Sequence, residues 1–197
     1  MHGPLDKLIK QISALPGLGP RSARRIAIYL LSNRDKIMTP LSQTLAWTAR
    51  ETNDCEICGN LDTQSPCHIC TDTTRDMNRL CIVAHVADLW AIDRTRSYTG
   101  QYHVLGGLLS ALDGRGPEEL GIPQLIRRIA EHDYEEVILA LNATVDGQST
   151  AHYISDQLKP FDCKLSRLSH GLPMGGELDY LDDGTISLAL NARSGLD

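Results

Sequence analysis

Cys55-Glu-Ile-Cys58-Gly-Asn-Leu-Asp-Thr-Gln-Ser-Pro-Cys67-His-Ile-Cys70 is the stretch that organises this chain. Two Cys-x-x-Cys knuckles stand eight residues apart. A two-residue gap lets backbone N–H groups fold beneath each sulfur pair, and the intervening loop returns the second pair to the same ion. Gly59 suits a tight, left-handed turn after the first knuckle, and Pro66 restrains the approach to the second. The quartet predicts one zinc ion, and a structural one, because four thiolates leave no open position for water or substrate. His68 is an alternative ligand; with four cysteines available it is expected to point outward. Six cysteines would also allow a disulfide framework in a secreted protein. The knuckle clustering favours metal, and Cys81 and Cys163 stand alone in apolar runs, as buried thiols commonly do.

The quartet separates two halves of opposite charge. Residues 1–50 carry Lys7, Lys10, Arg21, Arg24, Arg25, Arg34, Lys36 and Arg50 against Asp6 and Asp35, a net of +6. The whole chain is −6, so the remainder carries −12. A basic head on an acidic body points to an anionic partner for the head alone, or else to a solvated basic helix face. The 197 residues suffice for one medium core with small appended modules. There is no internal repeat and no low-complexity tract. The start has no apolar signal-like segment, and no run reaches the roughly 18 apolar residues of a membrane span. A cytoplasmic protein is expected.

In the head, Leu5, Leu8, Ile9 and Ile12 recur at helical spacing. Leu15-Pro-Gly-Leu-Gly-Pro20 then stops that helix, and Pro20 suits the first position of a second one, about Arg21 to Ser32. Ala23, Ile26, Ala27 and Leu30 form its buried stripe. Gly17 and Gly19 let the backbone present N–H groups to a phosphate. The helix N-terminus adds partial positive charge, and Arg21, Arg24, Arg25 and Lys10 add full charges. The pattern is that of a helix-hairpin-helix binding DNA through its backbone, weakly dependent on sequence and strongly on salt. The plainer alternative is an αα-hairpin whose glycines serve only the turn. With 5% aromatic residues, a base-stacking platform is not expected. Thr39-Pro40 reads as an N-cap and first turn of a third helix, about Pro40 to Glu51.

From Leu80 the pattern becomes α/β. Leu80–His85, Tyr102–Gly106, Glu136–Leu141 and Cys163–Leu168 read as strands; Val86–Arg94, Ile122–Glu131, Thr150–Leu158 and Gly184–Ala192 read as helices. Continuous apolar strands alternating with helices imply a mainly parallel sheet with helices on both faces. Sites in such sheets form at the carboxyl ends of strands, here Ala84-His85 and Asn142-Ala-Thr-Val-Asp-Gly-Gln148. Gly106-Gly107 lacks the lysine and spacing of a phosphate loop. Asp182-Asp183 is placed to cap the last helix.

The whole order resembles the RecR family of recombination mediators. The resemblance rests on the hairpin, the four cysteines, Tyr102-His-Val-Leu-Gly-Gly107, Leu112-Asp-Gly-Arg-Gly-Pro117, Thr144-Val-Asp-Gly147 and Gly171-Leu-Pro-Met-Gly-Gly-Glu-Leu-Asp-Tyr180. It implies a Toprim-like α/β body preceded by an all-α head and a small zinc module. The expected divisions are 1–53 head, 54–78 zinc module, 79–170 Toprim-like domain and 171–197 C-terminal segment with oligomer contacts. It also implies a homo-oligomer, a ring tetramer or dimer encircling DNA, assembled partly through the hairpins. Partners implied are RecO and/or RecF, the task being to load RecA at single-strand gaps in a bacterial, nucleoid-associated setting. Toprim enzymes hold Mg²⁺ with a glutamate after the first strand and an Asp-x-Asp pair after a later one. Here those positions read Ala84 and Asp146-Gly-Gln148, so no catalysis is expected, and Asp146 alone keeps a charge that the family links to partner binding. The alternatives are a Mg²⁺-dependent Toprim nuclease and a zinc interaction module that never touches nucleic acid. The zinc module is expected to act as a bracket between head and body.

Overall fold

A computed structural model describes residues 3–169, 172, 175 and 177–191. Residues 171, 173, 174 and 176 of the 171–180 motif, and Ala192, lie outside the described residues. The chain forms two compact units, Met1–Thr52 and Asn53–Asp197.

In the first unit α1 (Pro4–Ser13) and α2 (Pro20–Ser32) form an antiparallel hairpin. Ile12, Ala23, Ala27 and Leu30 make its core, with Leu8, Ile9, Leu18, Ile26, Ile37 and Met38 packed around them. Ala23 and Ala27 are fully buried, and their small side chains let the two helices approach closely. Gly17 has φ +76°, a left-handed conformation open to glycine at little cost. A π-helical turn, Arg34–Met38, runs directly into α3 (Thr39–Glu51). Thr39 is therefore no N-cap: its φ and ψ of −65° and −51° are helical because the chain already coils through the five preceding residues.

The second unit begins with a two-stranded antiparallel ribbon, β1 (Asn53–Asp54) and β2 (Leu61–Asp62), and a short helix α4 (His68–Thr71). Then follow β3 (Asp76–Val83), α5 (Val86–Thr95), β4 (Gly100–Val104), α6 (Ile122–Glu131), β5 (Glu136–Ala140), α7 (Val145–Leu158), β6 (Lys164–Arg167) and α8 (Asp183–Asn191). Four strands form one parallel sheet in the order β4-β3-β5-β6. Alternation along β3 assigns the two faces. Leu80 and Ile82 share a core with Val137 and Leu139 of β5, Ile122, Leu125 and Ile129 of α6, and Ile154 and Leu158 of α7. Cys81 and Val83 face the other way, toward Tyr102 and Val104 of β4 and Leu89 of α5. Each such aliphatic side chain contributes about 1.5–3 kcal/mol when fully buried. Asp182 caps α8, its carboxylate accepting from Thr185 N at 2.9 Å and from Thr185 Oγ1 at 2.7 Å.

The helix expected from Thr150 starts five residues earlier, at Val145. Thr144 is its N-cap, with Oγ1 accepting from Gly147 N at 3.2 Å. The sequence conceals this start because Thr-Val-Asp-Gly reads locally as a turn. Gly147 is fixed by contact: a Cβ there would run into the carbonyl oxygen of Asn142. Gly147→Ala is expected to lower stability by about 1–3 kcal/mol, the range of other overpacked sites. Gly19→Ala, with open space around it, should cost clearly less. Urea denaturation of the two variants makes the comparison.

Candidate metal centre and nucleic-acid interface

The ribbon and α4 bring the two knuckles together. All four ligand sulfurs of Cys55, Cys58, Cys67 and Cys70 lie within 4.8 Å of one another. Cys55 and Cys70 are 3.9 Å apart, and Cys58 and Cys67 3.5 Å. A tetrahedral zinc with sulfurs at about 2.3 Å requires edges of about 3.8 Å, so the quartet fits the ion. Backbone N–H groups point at the sulfurs, from Asn60 to Cys58 at 3.4 Å and from Cys67 to Cys55 at 3.3 Å. As thiols Cys55, Cys58 and Cys67 are mismatched. Burial works to raise the Cys55 pKa, but N–H groups of Cys67, Cys58 and Ile57 outweigh it and bring it to about 7. Cys58 is pushed up by its hydrogen bond to Cys70 and by burial. Burial also lifts Cys67, to about 11. Four clustered thiolates need a cation among them; bound zinc supplies it.

Gly59, with φ +73°, makes the left-handed turn after the first knuckle and packs against Val104. His68 points outward, its Nδ1 2.6 Å from Asp62 Oδ2, and lies outside the sulfur cluster. Asp62 also accepts from His68 N at 2.8 Å. The backbone and side-chain bonds to His68 hold its carboxyl down at about 2.

The quartet does not stand apart from the sheet. Cys55, Cys58, Cys67 and Ile69 pack in the same core as Cys81, Val83, Leu89, Tyr102 and Val104. Cys58 O accepts from Val104 N at 2.8 Å, on the outer edge of β4. Trp90 on α5 donates from Nε1 to Asn60 Oδ1 at 2.9 Å. The zinc segment therefore covers one face of the sheet beside α5. Sequence reasoning misses Trp90 and Asn60, since neither carries a spacing signal.

The sheet's carboxyl end carries few acids. Ala84 is fully buried after β3. Asp146 and Gln148 occupy the exposed first turn of α7, beyond the adjacent strand β5. A cleft of about 410 Å³ lies beside them, lined by Asn142, Gln148, His152, Ser166 and Arg167 over an apolar floor including Leu139 and Leu165. Among the described residues, the cysteine quartet is the one group of three or more His, Cys, Asp or Glu ligands placed to hold a metal.

In the first unit, Gly19 leads into α2 with extended backbone, φ −92° and ψ 171°, and no side chain caps the helix. Pro20 occupies its first turn, which holds no acid. Lys10, Gly17, Gly19, Arg21, Arg24 and Arg25 are all exposed. Among the described residues, no carboxylate lies within 4.0 Å of Lys10, Arg21, Arg24 or Arg25.

Removing zinc with a strong chelator, or Cys58→Ser, is expected to lower the melting temperature of the second unit by several degrees and to loosen packing around Val104. Near-ultraviolet dichroism and amide exchange at β4 follow this directly. Loss confined to residues 53–72 would show the two cores to be separate.

Family models match nearly the whole chain. The RecR helix-hairpin-helix model covers residues 5–48, the RecR four-cysteine zinc finger domain 53–72, the Toprim domain 78–169, and the RecR C-terminal model 171–194. Among curated relatives, recombination protein RecR of Rhodospirillum rubrum is 54% identical over 191 residues, 97% of each chain. That of Paramagnetospirillum magneticum is 54% identical over 194 residues, 98% of each chain. That of a Bradyrhizobium species is 53% identical over 193 residues, 98% of this chain and 97% of the relative. With its hairpin, zinc module and parallel sheet in this order, the chain belongs to the RecR family of recombination proteins.

Proposed function

We propose that the protein is a non-enzymatic mediator of recombinational repair that grips DNA through its hairpin and, with RecO and/or RecF, helps load RecA at single-strand gaps. The observation that carries the DNA contact is the uncapped N-terminus of α2, ringed by unpaired cations. N–H groups of the first turn and the Gly17-Leu-Gly19 backbone supply phosphate donors. Arg21, Arg24, Arg25 and Lys10 supply the charge. Such contacts follow the backbone and ignore base identity. The setting is the bacterial cytoplasm at the nucleoid; no described helix is long and apolar enough to cross a membrane.

A ring tetramer or dimer suits the head. None of the residues of α3 is buried, and Leu41, Leu45 and Trp47 are exposed along it, with Ile28 and Tyr29 exposed on α2. A helix this short is marginal without tertiary packing, so a second head is its natural cover. Arg21→Glu with Arg25→Glu is expected to abolish DNA binding in 50 mM salt, a change on the order of 100-fold or more given counterion release. Light scattering of the unsubstituted protein, with and without DNA, reports the assembly. Unchanged affinity in the double variant, or a monomer that ignores DNA, overturns the reading.

Toprim chemistry is not expected. One carboxylate, Asp146, beside an amide and Ala84 makes a poor Mg²⁺ cage. Asp146 remains as a charge for a protein partner. Mg²⁺-dependent strand scission by purified protein, lost in Asp146→Asn, would reinstate the nuclease alternative; supercoiled plasmid left intact by the protein in Mg²⁺ is the expected result.

A further inference from the structure

Arg128, in the middle of α6, is 8% exposed. It falls on the same helical stripe as Leu125 and Ile129 and turns into the protein. Its guanidinium donates to neutral acceptors: from Nε to Tyr134 OH at 2.9 Å, from Nη1 to Tyr102 O at 2.7 Å and to Ile57 O at 3.4 Å, and from Nη2 to Gln101 Oε1. The cation also lies 5.8 Å from the centroid of the Tyr134 ring. Among the described residues, no carboxylate stands within 4.0 Å of it.

A buried cation costs several kcal/mol unless an opposite charge lies near. Arginine does not escape by losing its proton. One of its hydrogen bonds leads to the first knuckle. Ile57, whose carbonyl Arg128 holds, sits between Cys55 and Cys58. A divalent ion with four thiolates keeps a double negative charge, and Cys55, Cys58 and Cys67 are 3%, 0% and 0% exposed. A buried dianion thus shares a backbone segment with a buried cation. Neighbouring groups register the cation. Tyr134 is raised by burial, against the charge and hydrogen bond of Arg128, which work to lower it. His103, with Nε2 donating to Gly121 O at 2.8 Å, is kept neutral down to about 4, first by burial and also by Arg128.

We propose that Arg128 is the counter-cation of the zinc tetrathiolate, a positioning residue that strengthens metal binding by charge while tying the first knuckle to α6 and β4. A merely structural arginine would lower stability equally with and without zinc. A counter-cation, once removed, lowers the affinity for the metal itself.

The test measures zinc affinity by competition with a chromophoric chelator in Arg128→Met, Arg128→Lys and Tyr134→Phe, each checked for fold by circular dichroism. Arg128→Met is expected to bind zinc about 10–100-fold more weakly, the usual effect of losing an outer-shell partner, and to gain less melting temperature on zinc addition than the unsubstituted protein. Arg128→Lys, which keeps the charge and loses the fork, recovers most of that affinity. Tyr134→Phe leaves it unchanged. Unaltered zinc affinity in folded Arg128→Met, or a lysine variant as weak as the methionine one, overturns the proposal. Should Arg128→Met not fold, Arg128→Gln, which removes the charge and keeps a donor, takes its place: zinc affinity roughly tenfold weaker than in Arg128→Lys supports the counter-cation, and affinity equal to that of Arg128→Lys rejects it.

Discussion

A parallel sheet is apolar on both faces, and each face must be covered. In this protein the two covers are of different kinds. Leu80 and Ile82 of β3 lie under α6 and α7, an ordinary helix layer. Cys81 and Val83 lie under α5 and the zinc knuckles. A ribbon of two-residue strands and a one-turn helix has too little apolar surface to hold its own shape. Four sulfurs on one ion give it that shape. The metal thereby enters the folding of the sheet itself, and the zinc segment and the body form one structural unit.

Much of this is legible in the sequence because the signals are local. The Cys-x-x-Cys spacing specifies a tetrahedral site without reference to the rest of the chain. The bounds of α6 at Ile122 and Glu131 follow from its periodicity, and Pro20 marks the first turn of α2. What escapes depends on distant partners. The start of α7 at the Thr144 cap hides in a run that reads locally as a turn, and the close approach of Gly147 to Asn142 that holds it is encoded by no propensity. Thr39 resembles a cap, yet the π turn before it removes the need for one. Arg128 draws no notice because one of two adjacent arginines reads as solvated. Its place three residues after Leu125, on the buried stripe, is the available sign.

Function divides along the same line as charge. The first unit presents backbone donors and free cations, a chemistry that needs only phosphate. The second retains the architecture of a Toprim domain, while Ala84 occupies a buried position where metal chemistry would need an acid. Its exposed acids, Asp146 among them, face solvent at the same end of the sheet as a 410 Å³ cleft. On the proposed reading, DNA binding by one unit and protein recognition by the other require no catalytic step between them.

The hydrogen bond from Val104 N to Cys58 O has a further consequence. β4 is an outer strand, and this donor points away from β3, toward whatever lies beyond the sheet. An uncovered strand edge is a template for pairing with another chain. The first knuckle occupies that edge only while its cysteines are gathered. Scattering the knuckle would leave the Val104 donor without its partner and the rim of the sheet open to pairing. The zinc thus guards an edge as well as covering a face.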